Sequence, residues 1–273
     1  MPELPEIETI RRGLEPILTG RRIDRVVVRE RRLREPVIPV QLRRLVGSRF
    51  LSIRRRSKYL LLGTDTGSTL LIHLGMTGQL WVTEVDQPRR PHEHVVISLS
   101  DGRDLRFADS RRFGMLLVIQ TGNIDQHPRL RNLGPEPLDG SLTGDRLFQS
   151  TRNRTRPVKN FLIDTRSVAG VGNIYACETL HRARIDPRLP VGRIGRIRWE
   201  RLVQSLRTVL AEAIEAGGTT FRDYLKADGE VGLFAVALRV YNRAGKPCLR
   251  CAGTIRRITQ AGRGTFFCPR CQR

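Results

Sequence analysis

The chain of 273 residues is poor in lysine: among 49 basic residues only Lys58, Lys159, Lys226 and Lys246 are lysines. Arginine keeps its proton at any physiological pH, whereas a desolvated lysine can lose it. Each of the four is therefore a candidate for a position that needs a titratable amine. Long apolar runs are missing too. No stretch approaches the roughly 20 residues that span a bilayer, which excludes a membrane helix. The opening Met1-Pro2-Glu3-Leu4-Pro5-Glu6 is acidic and lacks the apolar core of a signal peptide, so a soluble, cytoplasmic protein with no membrane partner is expected. Hydrophobic content is only 39%, yet nothing reads as low-complexity. The length suffices for one large or two small domains with cores.

Positive charge is what the sequence has in excess. A formal +22 implies a polyanionic partner, because such a surface repels itself without one. Nucleic acid leads over an acidic membrane, since no basic amphipathic helix with an aromatic face stands out. Charge alone separates neither DNA from RNA nor an enzyme from a passive binder.

Apolar residues at Ile7, Ile10, Leu14 and Ile17/Leu18, with Gly20 as a stop, predict a helix over 3–19. From 23 to 119 short β-rich runs follow: 26–28, 59–62, 69–72, 95–97 and 115–119, several separated by turn signals. This pattern predicts an antiparallel β-sandwich with a helix at its front edge. The Gly/Pro/Asn-rich stretch 131–137 looks like a linker. Helices are expected beyond it near 158–164, 173–182 and 199–216, the last striped by Leu202, Leu206, Val209/Leu210 and Ala213 for packing.

Four of the five cysteines form two CxxC pairs, Cys248/Cys251 and Cys268/Cys271. Such pairs can give four thiolates to one structural Zn2+. The alternative is two disulfides, which a reducing cytosol disfavours. Paired strands at 254–255 and 265–267 around a turn at 261–264 would put Arg263, flanked by glycines, at the tip of a hairpin. Cys177 reads as a packed helical thiol. A glycine-rich turn, Gly170-Val171-Gly172-Asn173, precedes a helix, and exposed N–H groups at a helix start suit phosphate.

Several stretches, in order, resemble the formamidopyrimidine-DNA glycosylase family, which belongs to a wider group that includes endonuclease VIII. They are Pro2-Glu3-Leu4-Pro5-Glu6-Ile7-Glu8, Ser57-Lys58-Tyr59-Leu60, His73-Leu74-Gly75-Met76-Thr77-Gly78 and Arg111-Arg112-Phe113-Gly114. Gly170 to Ala176, Gly217-Gly218-Thr219-Thr220 and the four cysteines complete the set. The resemblance runs the whole length. It implies an α+β protein in three parts: a catalytic β-sandwich domain over 1–130, a helix-two-turn-helix DNA-binding domain over 131–238 with a lesion-capping loop at 217–232, and a β-hairpin zinc finger over 239–273.

The same resemblance implies a monomeric bifunctional glycosylase and lyase of base excision repair. Its partner would be double-stranded DNA with oxidised purines, such as 8-oxoguanine and formamidopyrimidines, or abasic sites. Once Met1 is removed, the Pro2 amine would attack C1′ of a nucleotide flipped from the stack. An α-amine titrates near ~8, against ~10.4 for lysine, so a useful fraction is neutral. Glu3 would move a proton, Glu6 would position the terminus and Lys58 would serve base removal and β-elimination. Arg263 would grip phosphate during a second, δ-elimination. Met76, Arg111 and Phe113 would fill the void, Phe113 as a wedge and Arg111 against the orphaned base. His73, His92, Lys159, Asn173 and Tyr241 would contact the DNA backbone. Asn153 stands where a basic residue is usual, so Arg154 is the expected substitute. Thr219, Phe221, Arg222 and Tyr224 belong to the loop over the lesion. Ser57 and Asn242 replace common glycines and Ser110 a common proline, departures of backbone geometry rather than chemistry.

Overall fold

A computed structural model describes residues 2–217 and 238–273. The chain divides into two compact units, one running as far as Arg131 and the other containing Asn132–Ala216 and the C-terminal segment.

In the first unit, helix α1 (Leu4–Leu18) buries Leu4, Ile7, Ile10, Leu14 and Leu18, one face of a 3.6-residue period. Pro5 sits in its first turn, where a missing N–H costs nothing. After it come β1 (Ile23–Val28), a short α2 (Pro39–Arg43), β2 (Phe50–Arg56), β3 (Tyr59–Thr64), β4 (Ser68–His73), β5 (Gly78–Glu84), β6 (Glu93–Leu99), β7 (Arg103–Asp109) and β8 (Met115–Gln120). They form two four-stranded sheets in the orders β1-β6-β7-β5 and β2-β3-β4-β8, antiparallel throughout. Leu60, Leu62, Leu70 and Ile72 of one sheet share a core with Val95, Ile97, Leu105 and Phe107 of the other, and α1 adds Ile7, Ile10 and Leu14. The expected α+β architecture, a sandwich with a leading helix, is what forms.

The second unit contains α3 (Gly144–Thr151), α4 (Val158–Leu162), α5 (Asn173–Ala183), α6 (Arg196–Glu215) and the hairpin β9 (Arg256–Gln260) and β10 (Arg263–Phe267). Trp199, Leu202, Leu206 and Leu210 are buried along α6, which packs on α3 and α5. The hairpin corrects one expectation. Its turn is two residues, not four, because Arg263 pairs with Gln260. Ala261 and Gly262 both take positive φ, 48° and 70°, as the tight primed hairpin turn requires. Arg263 therefore stands at the shoulder of the turn, and the strand preceding it starts at 256, not 254. Among the described residues no helix is long and apolar enough to cross a membrane.

Candidate active site and nucleic-acid interface

The start of α1 concentrates carboxylates where a helix favours negative charge. Glu3 is its N-cap, and the buried Glu6 carboxylate accepts from the Glu3 amide at 2.8 Å. Pro2, half-buried, is held immediately before this pair. Lys58 lies in the two-residue turn between β2 and β3, whose closing pair is Arg56–Tyr59, and it is buried. Ser57 precedes it at φ 55°, and Asn242 has φ 57°. Both substitutes for common glycines thus hold the left-handed backbone that favours glycine.

A residue given no role from sequence ties these parts together. Glu8, about one turn along α1, accepts from Arg55 Nε at 3.1 Å, and Arg55 Nη1 donates to the Ser57 carbonyl at 3.0 Å. The helix that begins at Pro2 is thereby braced against the turn that carries Lys58. Burial raises the Glu8 pKa, but Arg11 and Arg55 outweigh it and hold the carboxyl below its ordinary value.

Two neighbouring loops expose apolar side chains, Met76 and Phe113. They abut at Gly75: a Cβ there would lie 2.5 Å from the Phe113 carbonyl carbon, and Gly75 has φ 63°. Only glycine allows that approach. The Arg111 guanidinium lies 4.8 Å over the Phe113 ring. Exposed apolar groups beside a cation suit insertion between bases. His73 flanks the site. Its Nδ1 accepts from Gly75 N at 3.0 Å, leaving Nε2–H to donate. Burial, helped by the charge of Lys58, pushes its pKa down to about 4, so it is a neutral donor at physiological pH. His92 is exposed at φ 63°.

The organiser of these loops is Asp109, also unassigned from sequence. This buried carboxylate accepts from Thr77 Oγ1 at 2.5 Å, from Gly114 N at 2.7 Å and from Arg111 N at 3.3 Å. Asp109→Ala orphans several donors, each costing about 1–3 kcal/mol when left buried and unmet. The expected result is an unfolding free energy lowered by that order, read as a lower urea midpoint at unchanged slope, and faster proteolysis near Arg111. An unchanged midpoint would show that the loop stands without it.

In the second unit, Gly172 caps α5 and Asn173 begins it. The Asn173 side-chain amide donates to the Gly264 carbonyl at 2.9 Å, beside Arg263 in the hairpin. Lys159, expected to contact the DNA backbone, is buried and donates to Thr265 Oγ1 at 2.8 Å, which ties α4 to β10. Tyr241 stacks edge-on against Phe266, centroids 5.1 Å apart. Arg154 is exposed, next to Asn153 at φ 62°. Arg263 is exposed as well. Farther along α5, the Glu178 carboxylate accepts from the amides of Arg239, Val240 and Tyr241 at 2.8–3.0 Å. Thr219, Phe221, Arg222 and Tyr224 lie outside the described residues.

The sulfur atoms of Cys248, Cys251, Cys268 and Cys271 all lie within 4.8 Å of one another. The Cys248–Cys271 and Cys251–Cys268 separations, 3.9 and 3.5 Å, are those of ligands around one ion and too long for S–S bonds of about 2.05 Å. A backbone hydrogen bond at Gly253 brings the Cys251 thiol down to about 7, while burial among the other sulfurs pushes Cys271 up to about 12. A cation removes that conflict by letting every thiol ionise. His181 Nε2 lies 3.5 Å from Cys248 Sγ, an outer contact of the kind that orients ligands. The arrangement is a structural metal site.

Residues 1–116 match the family of the Formamidopyrimidine-DNA glycosylase N-terminal domain, 133–224 the Formamidopyrimidine-DNA glycosylase H2TH domain and 245–273 the zinc finger found in FPG and IleRS. The Formamidopyrimidine-DNA glycosylase of Pseudomonas paraeruginosa is 51% identical over 274 residues and that of Acidithiobacillus ferrooxidans 49% over 273, each match covering both chains fully. Among solved structures, a Lactococcus lactis FPG mutant complexed with Fapy-dG-containing DNA superposes with a TM-score of 0.90 at 33% identity, covering 100% of both chains. The FPG protein of Thermus thermophilus gives 0.86 at 42% identity, covering 99% of this chain and 98% of that one.

Proposed function

The chain belongs to the formamidopyrimidine-DNA glycosylase family and is a DNA glycosylase, and from that premise we propose that it excises oxidised purines and cuts the strand through a Schiff base on Pro2. The observation that carries this is the α1 start, where Pro2 immediately precedes the Glu3–Glu6 pair and the helix is braced by Glu8–Arg55 against the turn of Lys58.

The secondary amine of Pro2 bonds to C1′ as the glycosidic bond breaks, and the base leaves with the bonding pair and a proton. Glu3 protonates O4′ to open the sugar, giving an iminium. Loss of a C2′ proton then expels the 3′ phosphate, with Lys58 near the leaving groups. Arg263 grips the next phosphate through the δ-elimination. A guanidinium is a poor acid, so phosphate positioning is its role. Phe113 and Met76 hold the stack open, and Arg111 meets the orphaned base. His73, His92, Arg154 and Asn173 bind backbone, Asn173 also fixing the hairpin. The metal is Zn2+, held by the four thiolates to stiffen the finger. The protein acts as a cytoplasmic monomer, in three domains at 1–130, 131–238 and 239–273.

Borohydride trapping on duplexes carrying 8-oxoguanine, formamidopyrimidine or thymine glycol tests this directly. Strong adduct on the two purine lesions and weak adduct on thymine glycol is expected. The reverse order assigns the protein to oxidised pyrimidines, and no adduct with retained binding makes it a silent binder.

A further inference from the structure

The metal site adjoins a concavity that the chemistry above does not use. Its volume is about 610 Å3, far beyond what one ion among four sulfurs occupies, and Cys251 and Cys271 form part of its wall. The rest is arginine: Arg184, Arg198, Arg201, Arg250, Arg270 and Arg273. They converge from four segments. Arg184 is the left-handed C-cap of α5, Arg198 and Arg201 lie near the start of α6, Arg250 is in the first cysteine pair, and Arg270 and Arg273 are in and just after the second.

Among the described residues no side-chain carboxylate lines the concavity. Among the described residues none of these six guanidinium groups is in an ion pair, although other arginines of the same unit are: Arg182 with Glu212, Arg188 with Asp186 and Arg196 with Asp145. Within the group, Arg198 Nη2 donates to the Arg273 carbonyl at 2.5 Å and the Arg273 amide to the Arg184 carbonyl at 3.5 Å. Burial, with a smaller contribution from the charge of Arg201, holds Arg198 below its ordinary pKa.

The bland account is that the arginines balance the metal centre. One dication with four thiolates carries two net negative charges, which matches two of the six. That leaves roughly four positive charges uncompensated, about what three linked phosphates carry. Such a cluster costs stability unless an anion completes it. Arginine forks match phosphate oxygens two at a time. The place is also distinct from the hairpin. Asn173 and Gly264 mark the N-terminal end of α5 and Arg184 the other, roughly 16 Å away at about 1.5 Å per residue over the helix.

The geometry points to this concavity as a second anion site, which binds a run of about three phosphate groups at the C-terminal end of α5. The phosphates come either from a DNA backbone or from a free polyphosphate. Only the first source rests on the proposed function.

Inorganic tripolyphosphate titrated calorimetrically into the zinc-loaded full chain at low salt tests the site. Arg198→Gln/Arg201→Gln and Arg250→Gln/Arg270→Gln should each weaken it tenfold or more with zinc content unchanged. Arg25→Gln/Arg43→Gln, exposed residues of the other unit, should leave it intact. Equal weakening in all three pairs would reduce the effect to net charge, and no binding by the wild type would overturn the site. The salt dependence of binding to a lesion-free duplex identifies the source. If DNA fills the site, the log–log slope of the pocket variants falls by about 0.9 per lost phosphate and tripolyphosphate competes with DNA. If free polyphosphate fills it, the slope is unchanged. Nicking of a lesion duplex at saturating enzyme is measured in parallel. Wild-type failure there defeats the proposed activity alone, because tripolyphosphate binding is read independently of it.

Discussion

Blocking the amine of residue 2 abolishes both the borohydride-trapped adduct and strand nicking, down to background. Retained Met1 or an uncleaved amino-terminal tag converts the secondary amine to an amide, whose nitrogen pair is delocalised and does not attack carbon. The structure makes the block chemically specific. Pro2 is half-buried at the head of α1, while the helix is anchored by Leu4, Ile7, Ile10, Leu14 and Leu18. An added acyl group leaves that anchor untouched, so the melting temperature should not move. Binding should suffer less than chemistry, since Arg111, Phe113 and the finger remain. Pro2→Gly is the weaker test, because it keeps a free amine. In the active protein, mass spectrometry of the trapped species should place DNA on the peptide that begins at Pro2. DNA on a peptide containing Lys58 would reassign the nucleophile, and full activity with Met1 attached would sink the mechanism.

The lysines show how composition anticipated structure. In a chain where arginine supplies nearly all the basic groups, Lys58 and Lys159 are both buried, whereas Lys246 is exposed. Scarcity thus marked two unusual environments but not their roles. Lys159, expected at a DNA-backbone contact, bonds Thr265 beneath the hairpin, a partner its place in the sequence does not announce. Sequence spacing carries no information on depth: a lysine one residue into a five-residue helix can face either way until the hairpin packs on it. The Glu8–Arg55 brace and the Asp109 hub escaped for a related reason. Both join residues more than 30 apart or serve backbone amides, and neither leaves a periodic trace.

The strands were legible where burial made them apolar. β3, β4, β6 and β8 announced themselves as Leu/Ile/Val runs. β2, β5 and β7 did not, because charged and polar residues interrupt them. In β7, Arg106 is buried yet satisfied by Asp104 and by the carbonyls of Gln87 and Val85, so a core-facing strand carries an arginine. The paired carboxylates of Asp104 and Glu93, together with those carbonyls, make that burial tolerable. Similarly α3 is a short helix rich in polar residues, capped by the Thr143 hydroxyl, and its apolar face is too narrow to predict. The turn at 261–262 was placed two residues too long because glycines flank Arg263 on both sides, and pairing with Gln260 decides which of them turns.

Removal of the metal should unravel the finger and cost the protein most of its affinity for DNA. The cluster beneath the hairpin contains Val240, Ile255 and Phe266, and the remaining buried members are Cys177 and two of the metal-binding cysteines, Cys248 and Cys268. So small an apolar core cannot hold two strands and their turn. Thiolate–zinc bonding supplies folding free energy of about 10–16 kcal/mol in comparable peptides, more than this core can replace. Cys268→Ser removes one ligand and leaves three sulfurs crowded within a few ångströms. Contacts from the helical part are lost with the finger, among them Asn173 to Gly264, Lys159 to Thr265, Glu178 to the amides leading into it, and His181 to Cys248. Arg263 then loses its fixed place beside the turn. Chelation followed by elemental analysis, hydrogen exchange over 239–273 and titration with a lesion duplex reads each consequence separately. The expected pattern is loss of protection in that segment and at least a hundredfold weaker binding, about 2.8 kcal/mol at 1.4 kcal/mol per decade, restored by zinc. Undiminished affinity in protein verified free of metal would mean that the hairpin grips DNA without its staple, and that the metal serves something else.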